Sequence, residues 1–329
     1  MHLTLYVPGL LLPVEILETT AYDLTAPTLS QLLGCGTRRE MPDKVLARLF
    51  GLDFLPAAAL RKVGAGGTAQ GEWLCLDPVR WQVSPQGVTL DDPARLELDA
   101  KESDGLLAAM QPLFSDWGEL SASSPGCWEL QLQRPLALET QALPQAIHQP
   151  VDPRLPGGAD GPAWRLLIAE AQTLLHAHPV NRQRELANQA TVNSLWPWGM
   201  GRLPRDGGPG FETVWSNDPV IAGLCALAGV TCHASPACYP SASGRTLAML
   251  DRLTTPARTL DALAWRESLL TLERDWLAPA VAALKRGQHT ELRVIGTRLG
   301  PQPTTVAYEL KRSDLLRFWR KPHPLTALK

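Results

Sequence analysis

His178-Pro-Val-Asn-Arg-Gln-Arg184 and Asn193-Ser-Leu-Trp-Pro-Trp-Gly-Met-Gly201 are the two stretches on which the reading of this chain turns. A basic, histidine-bearing segment is followed by two tryptophans around a proline and then by two glycines. Arg182 and Arg184 carry planar donors suited to phosphate or carboxylate. Asn181 and Asn193 are suited to sugar or backbone groups. Trp196 and Trp198 offer flat apolar faces, and Gly199 and Gly201 permit close backbone approach. The candidate ligand site is therefore His178, Asn181, Arg184, Asn193, Trp196, Trp198, Gly199 and Gly201. The plainer reading of the same residues is structural: tryptophan plugs, asparagine caps and glycine turns that seal a sheet.

The segment before this stretch predicts a helix over about 163–177. Trp164, Leu167, Ile168, Ala171, Leu174 and Leu175 fall on one 3.6-residue stripe, which His178 continues before Pro179 ends the helix. At that end His178 is placed to favour the helix dipole, and with His176 two residues away it makes a poor metal pair. Further out, Leu3–Val7 reads as a buried strand stopping at Pro8-Gly9. Trp73–Pro78, Val79–Val83 and Val88–Leu90 read as strands, and Trp128–Gln133 alternates as a half-buried one. Helices are expected near 28–33, 43–50, 103–114, 219–228, 246–253 and 260–286, and terminal strands at 291–297 and 304–310. The Pro- and Gly-rich stretch 150–162 reads as a boundary. The basic tail from Lys311 to His323, with Phe318 and Trp319 interleaved, reads as the solvated face of a terminal helix, the alternative being contact with nucleic acid or an acidic partner.

Composition narrows the function classes. Lys plus Arg is 31 and Asp plus Glu is 33, so the net charge of −2 makes no case for a nucleic acid or anionic membrane partner. The six cysteines form no C-x-x-C pair and read as buried or incidental thiols. The apolar start lacks a basic flank and is broken by Pro8 and Pro13, so a cytoplasmic location without a membrane span is expected. There is no P-loop, G-x-S-x-G or H-E-x-x-H.

The pair of stretches resembles the "HPxN…R…N-x-x-W-x-WG-x-G" signature of RpfE-type bacterial regulatory proteins, diverged relatives of archaeal-type cofactor-independent phosphoglycerate mutase. Val45-Leu-Ala-Arg-Leu-Phe-Gly51, Gly71-Glu-Trp-Leu-Cys-Leu-Asp-Pro-Val79 and the 211–230 segment carry the resemblance further. It implies an α/β, alkaline-phosphatase-like core sheet flanked by helices, over 1–90 and 161–329, with a smaller inserted α+β cap over 91–160. Active members of that family hold two metals on a first-strand Asp-Gly, a Ser-Asp nucleophile turn, an Asp-x-x-x-His helix and an Asp-His pair. The metals position phosphoryl oxygens and activate the nucleophile. Here the first strand meets Pro8-Gly9, and Pro42-Asp43 stands where the nucleophile turn would be. Proline has no hydroxyl to phosphorylate. None of the seven histidines follows an Asp directly or at four residues. The expectation is a catalytically degenerate, regulatory or phosphometabolite-sensing protein with no metal and no cofactor. Two rivals stand beside it: a phosphoryl-transfer enzyme with an altered site, and a protein–protein adaptor that uses tryptophans as anchors. Expected partners are a phosphorylated small molecule or a protein.

Overall fold

The computed structural model describes residues 2–42, 44–84, 87–204, 210–241, 244–299, 303–317 and 319–328. Asp43 and Phe318 lie outside these. The strands, in chain order, are β1 (His2–Leu11), β2 (Thr37–Glu40), β3 (Glu72–Val79), β4 (Trp81–Ser84), β5 (Gly87–Leu90), β6 (Gly118–Ser124), β7 (Cys127–Leu132), β8 (Ser194–Gly201), β9 (Thr213–Trp215), β10 (Thr231–His233), β11 (Arg245–Met249), β12 (Glu291–Arg298) and β13 (Thr304–Lys311). Two compact units emerge: 1–53 with 207–218 and 225–329, and 54–206 with 219–224.

The first unit is built on a seven-stranded sheet, ordered β10-β9-β11-β1-β12-β13-β2. β10, β9, β11, β1 and β12 run parallel, and β13 and β2 close one side antiparallel. Alternation sorts its side chains. Leu3, Leu5, Val7, Leu292, Val294, Val306, Tyr308 and Leu310 face a core completed by Leu17, Leu29, Leu32, Trp265, Leu269 and Val281 from helices. Ile295 and Ala307 face the other way, against Val45 of helix Val45–Leu49. This is the α/β sheet flanked by helices that the resemblance implied.

Two local expectations give way. β1 does not stop at Pro8-Gly9 but runs on to Leu11, with a register shift between Pro8 and Leu11 against β12. Proline and glycine are tolerated because they sit at that irregularity. Gly9 takes φ +78°, a Cβ there would lie 2.5 Å from the Leu253 carbonyl, and the Gly9 carbonyl accepts the Trp265 indole N–H at 2.8 Å. Of residues 246–253, expected as helix, the first half is instead part of strand β11, paired in parallel to β1 and β9, and none of the rest is helical. A short apolar run cannot be assigned by periodicity alone, and here strand partners on both sides decide it. The basic tail is also no regular helix: short 3₁₀ turns form at Arg312–Leu316 and Leu325–Ala327.

The second unit carries an antiparallel sheet, β6-β7-β3-β8, and the hairpin β4-β5. It is larger than the expected 91–160 insertion. β3 pairs with β7 and β8, which draws residues 54–90 and 161–206 to it. One sheet face is apolar. Leu74, Leu76, Leu120, Trp128, Leu130 and Leu195 pack with Leu106, Met110 and Phe114 of helix Ala100–Phe114 and with Trp164, Ala171 and Leu175 of helix Gly161–Ala177. The stripe read from the sequence thus supplies this core, although Leu174 is exposed. Among the described residues no helix is long and apolar enough to cross a membrane.

Candidate functional site

In parallel α/β sheets the loops leaving the carboxyl ends of the strands converge, and ligands settle there. Such a cavity, about 240 Å³, lies in the first unit. Its walls are Asn217 after β9, Ser235 after β10, Asp251 and Arg252 after β11, Val7 of β1, and Asp275 and Trp276. The last two belong to a π-helical segment, Glu273–Leu277, within the long helical stretch from Ala262 to Lys285. Such a segment, common at functional sites, changes the helical phase.

The loops are tied to one another. Asn217 Oδ1 accepts from the Ser235 N–H at 3.1 Å, Ser235 Oγ donates to the Met249 carbonyl at 3.1 Å, and the Tyr239 N–H donates to the Asp275 carbonyl at 2.8 Å. Glu273, buried, accepts from the N–H groups of Thr28 and Leu29 at 2.6 and 3.0 Å, which caps helix Pro27–Cys35 and anchors the π segment. Asp275 is gripped by Arg274 at 2.6 and 3.0 Å. That hydrogen bonding, aided by the charges of Arg274 and Arg252, holds its carboxyl below the usual range. Asp251 and Arg252 are exposed at the rim.

The residues singled out in the sequence lie elsewhere, all in the 54–206 unit. His178 closes helix Gly161–Ala177 as its C-cap, as expected, and is also the N-cap of helix Pro179–Leu186, with Nδ1 accepting from the Val180 N–H at 3.2 Å. Burial lowers its pKa. Asn181, buried, donates to the carbonyls of Leu175 and Val192 at 2.7 and 2.6 Å and accepts from the Val192 N–H at 3.0 Å. Arg184, also buried, donates to the Ala190 carbonyl at 2.7 Å, to Glu102 at 2.6 Å and to the Leu96 carbonyl. Asn193 exchanges two hydrogen bonds with the Trp81 backbone, at 2.7 and 2.9 Å.

Trp196 is 2% exposed, fills the cluster of Val79, Leu90, Ile147 and Val151, and donates to the Gln141 carbonyl at 2.9 Å. Trp198 donates to Asp77 at 2.7 Å. Gly199 takes φ +62° with Ala57 Cβ only 2.7 Å from where a Cβ would be, and a Cβ on Gly201 would lie 2.9 Å from Pro56 Cβ. Asn181, Arg184, Asn193 and the two indoles spend their polar atoms on the protein itself, whereas the Arg182 side chain is exposed and His178 is half-buried.

Sequence reasoning passed over Asn217, Ser235, Asp251, Arg252 and Asp275. The signal was present in Leu247–Arg252, an apolar run ending in Asp-Arg, but only a strand reading gives that ending meaning. It also passed over Arg61 and Glu129, buried in the second unit. Among the described residues no group of three or more His, Cys, Asp or Glu side chains is arranged to hold a metal ion.

No family model matches the chain. It is 35% identical over 72 residues to the 2,3-bisphosphoglycerate-independent phosphoglycerate mutase of Methanosarcina mazei, a match covering 21% of this chain and 18% of that protein. With the enzyme of the same name from Methanosarcina barkeri it shares 31% over 101 residues, 30% of this chain and 25% of that one. The chain is thus similar to these enzymes over a limited stretch and spans 18–25% of their length. The fold agrees along the whole chain. The cofactor-independent phosphoglycerate mutase of Thermoplasma acidophilum superposes with a TM-score of 0.50 at 15% identity, covering 100% of this chain and 94% of that one. The PH0037 protein of Pyrococcus horikoshii gives 0.51 at 12% identity, covering 99% and 91%.

Proposed function

We propose that this chain is a phosphoglycerate mutase-like protein that has given up two-metal phosphoryl transfer and works as a cytoplasmic, RpfE-type regulatory protein of bacteria, sensing a phosphorylated metabolite. The observation that carries the reading is the side-chain set at the carboxyl ends of the parallel strands. Pro8-Gly9, Asn217, Ser235, Asp251-Arg252 and Thr297-Arg298 stand there. Two-metal catalysis needs several carboxylates and imidazoles around one point; here Asp251, with Asp218, His233 and Asp275 near it in the fold, stands among amides, hydroxyls and guanidinium groups, and among the described residues no group of three or more His, Cys, Asp or Glu side chains is arranged to hold a metal ion. Such a set favours binding an anion over activating a nucleophile. The ligand would sit in the cavity beside Trp276, its phosphate met by Arg252, the exposed cation of the wall.

The test joins binding to turnover. Thermal denaturation with 2- or 3-phosphoglycerate, with and without Mn²⁺, is expected to show a ligand-dependent rise in Tm that Arg252→Ala removes. A coupled mutase assay is expected to show no turnover. Mn²⁺-dependent interconversion of the two phosphoglycerates would overturn the reading in favour of an enzyme with an altered site.

A further inference from the structure

The four-stranded sheet has a second face unlike its first. On the side away from Leu74, Trp128 and Leu130, period-two alternation places Cys75 and Asp77 of β3, Cys127 and Glu129 of β7, and Ser121 and Ser123 of β6. Helix Ala57–Gly64 lies over β3, β7 and β8 and inserts Arg61, which is 3% exposed. Two carboxylates therefore share one buried guanidinium.

They share it unequally. Asp77 takes a two-pronged pair from Arg61 at 2.9 and 2.8 Å, the Trp128 N–H at 3.0 Å and the Trp198 indole at 2.7 Å. The remaining Arg61 donation goes in part to the Trp128 carbonyl at 2.9 Å. Glu129, 0% exposed, keeps only the Ser123 hydroxyl at 2.7 Å as a hydrogen-bond donor among the described residues. Its Oε1 lies 2.8 Å from Arg61 Nε, yet the pair is misaligned and neither atom completes a hydrogen bond. With Glu129 protonated the Arg61–Asp77–Glu129 trio is neutral. With it ionised the trio holds a surplus negative charge out of water, which is costly.

We propose that Glu129 is a proton-operated latch on edge strand β6. Its protonated form keeps Ser121–Ser124 docked on β7, and loss of that proton to water frees this end of β6 so that water reaches the carboxylate. β6 is the place to yield because it is an edge strand, its register already shifts between Ala122 and Ser124, and Ser121, Ala122 and Ser123 are half-buried where Trp128 and Glu129 of β7 are buried.

The groups facing Glu129 are known from every side. Helix Ala57–Gly64 brings Arg61 and Lys62, whose Nζ donates to Ser121 at 3.1 Å. β3 brings Cys75 and Asp77, β7 Cys127, β8 the Trp198 indole, and β6 the two serines with Glu119 exposed beyond them. Burial, against the pull of Arg61 and Ser123, pushes the Glu129 carboxyl up to about 7. Burial also pushes the Cys75 and Cys127 thiols up, so they stay protonated as Glu129 titrates.

Amide hydrogen exchange of the full chain at about pH 6 and about pH 8, corrected for intrinsic rates, tests the latch in wild type and Glu129→Gln. Wild type is expected to lose about tenfold protection over Leu120–Ser124 at the higher pH, and Glu129→Gln to lose none. An equal loss in both proteins, or none in either, overturns it. Should Glu129→Gln fail to fold, the wild-type Glu129 carboxyl ¹³C shift decides. A midpoint within about one unit of neutrality upholds the latch, and one below about 5.5 overturns it.

Discussion

The carboxyl edge of the seven-stranded sheet and the 178–201 segment are both rich in polar side chains, but they use them in opposite ways. In 178–201 Asn181, Arg184, Asn193, Trp196 and Trp198 are bonded to backbone, to Glu102 or to Asp77, while the Arg182 side chain is exposed. At the sheet edge, backbone and side-chain bonds fix the loops while Asp251 and Arg252 stay exposed beside a cavity. A dense cluster of Asn, Arg, Trp and Gly can therefore be a folding device, because buried polar groups must find partners. What marks a recognition surface is polar capacity left over after the backbone is satisfied.

Three substitutions probe that contrast, and a fourth, Glu129→Gln, probes a buried carboxylate outside both regions. Arg184→Ala should have the largest effect, about 3–5 kcal/mol of lost stability by urea denaturation, since it strands the buried Leu96 carbonyl, the half-buried Ala190 carbonyl and the Glu102 carboxylate. A loss under about 1 kcal/mol would mean the segment is less of a lock than its bonds imply.

Glu129→Gln should change the pH dependence. The folded pKa of about 7 stands above the ordinary 4.5. The folded form therefore binds the proton more tightly, and the contribution is full below the unfolded pKa and is lost as pH rises through about 7. Wild type should lose up to about 3 kcal/mol from this group across that window, and the amide variant should not. Parallel pH profiles for the two proteins would refute the assignment.

Gly199→Ala should cost about 1–2 kcal/mol, because it adds a Cβ against Ala57 at positive φ. Arg252→Ala should change stability by no more than about 0.5 kcal/mol while removing ligand-induced stabilisation, which is the reverse of Arg184→Ala.

The fold was legible where pattern and length agreed. The helix stripe from Trp164 to Leu175 and the alternation in 291–297 and 304–310 appear as elements of the structure. β11 was not legible, because Thr246–Leu250 is apolar nearly throughout and shows no period; its strand character comes from β1 and β9 on either side. β2 was hidden because all four of its residues are exposed and carry no burial pattern. For Glu129 the alternation correctly separated it from Trp128 and Leu130, but its face is covered by a helix more than sixty residues earlier in the chain, which no local pattern encodes. The site followed the same rule. Composition drew attention to 178–201, and only tertiary pairing reveals which of those groups are already engaged.

Hydrogen exchange with and without saturating 3-phosphoglycerate locates recognition on one region or the other. New protection confined to 234–238, 250–253 and 271–276 is the predicted result. Protection confined to 178–201, with the sheet edge unchanged, would contradict it and return the ligand to the tryptophan segment.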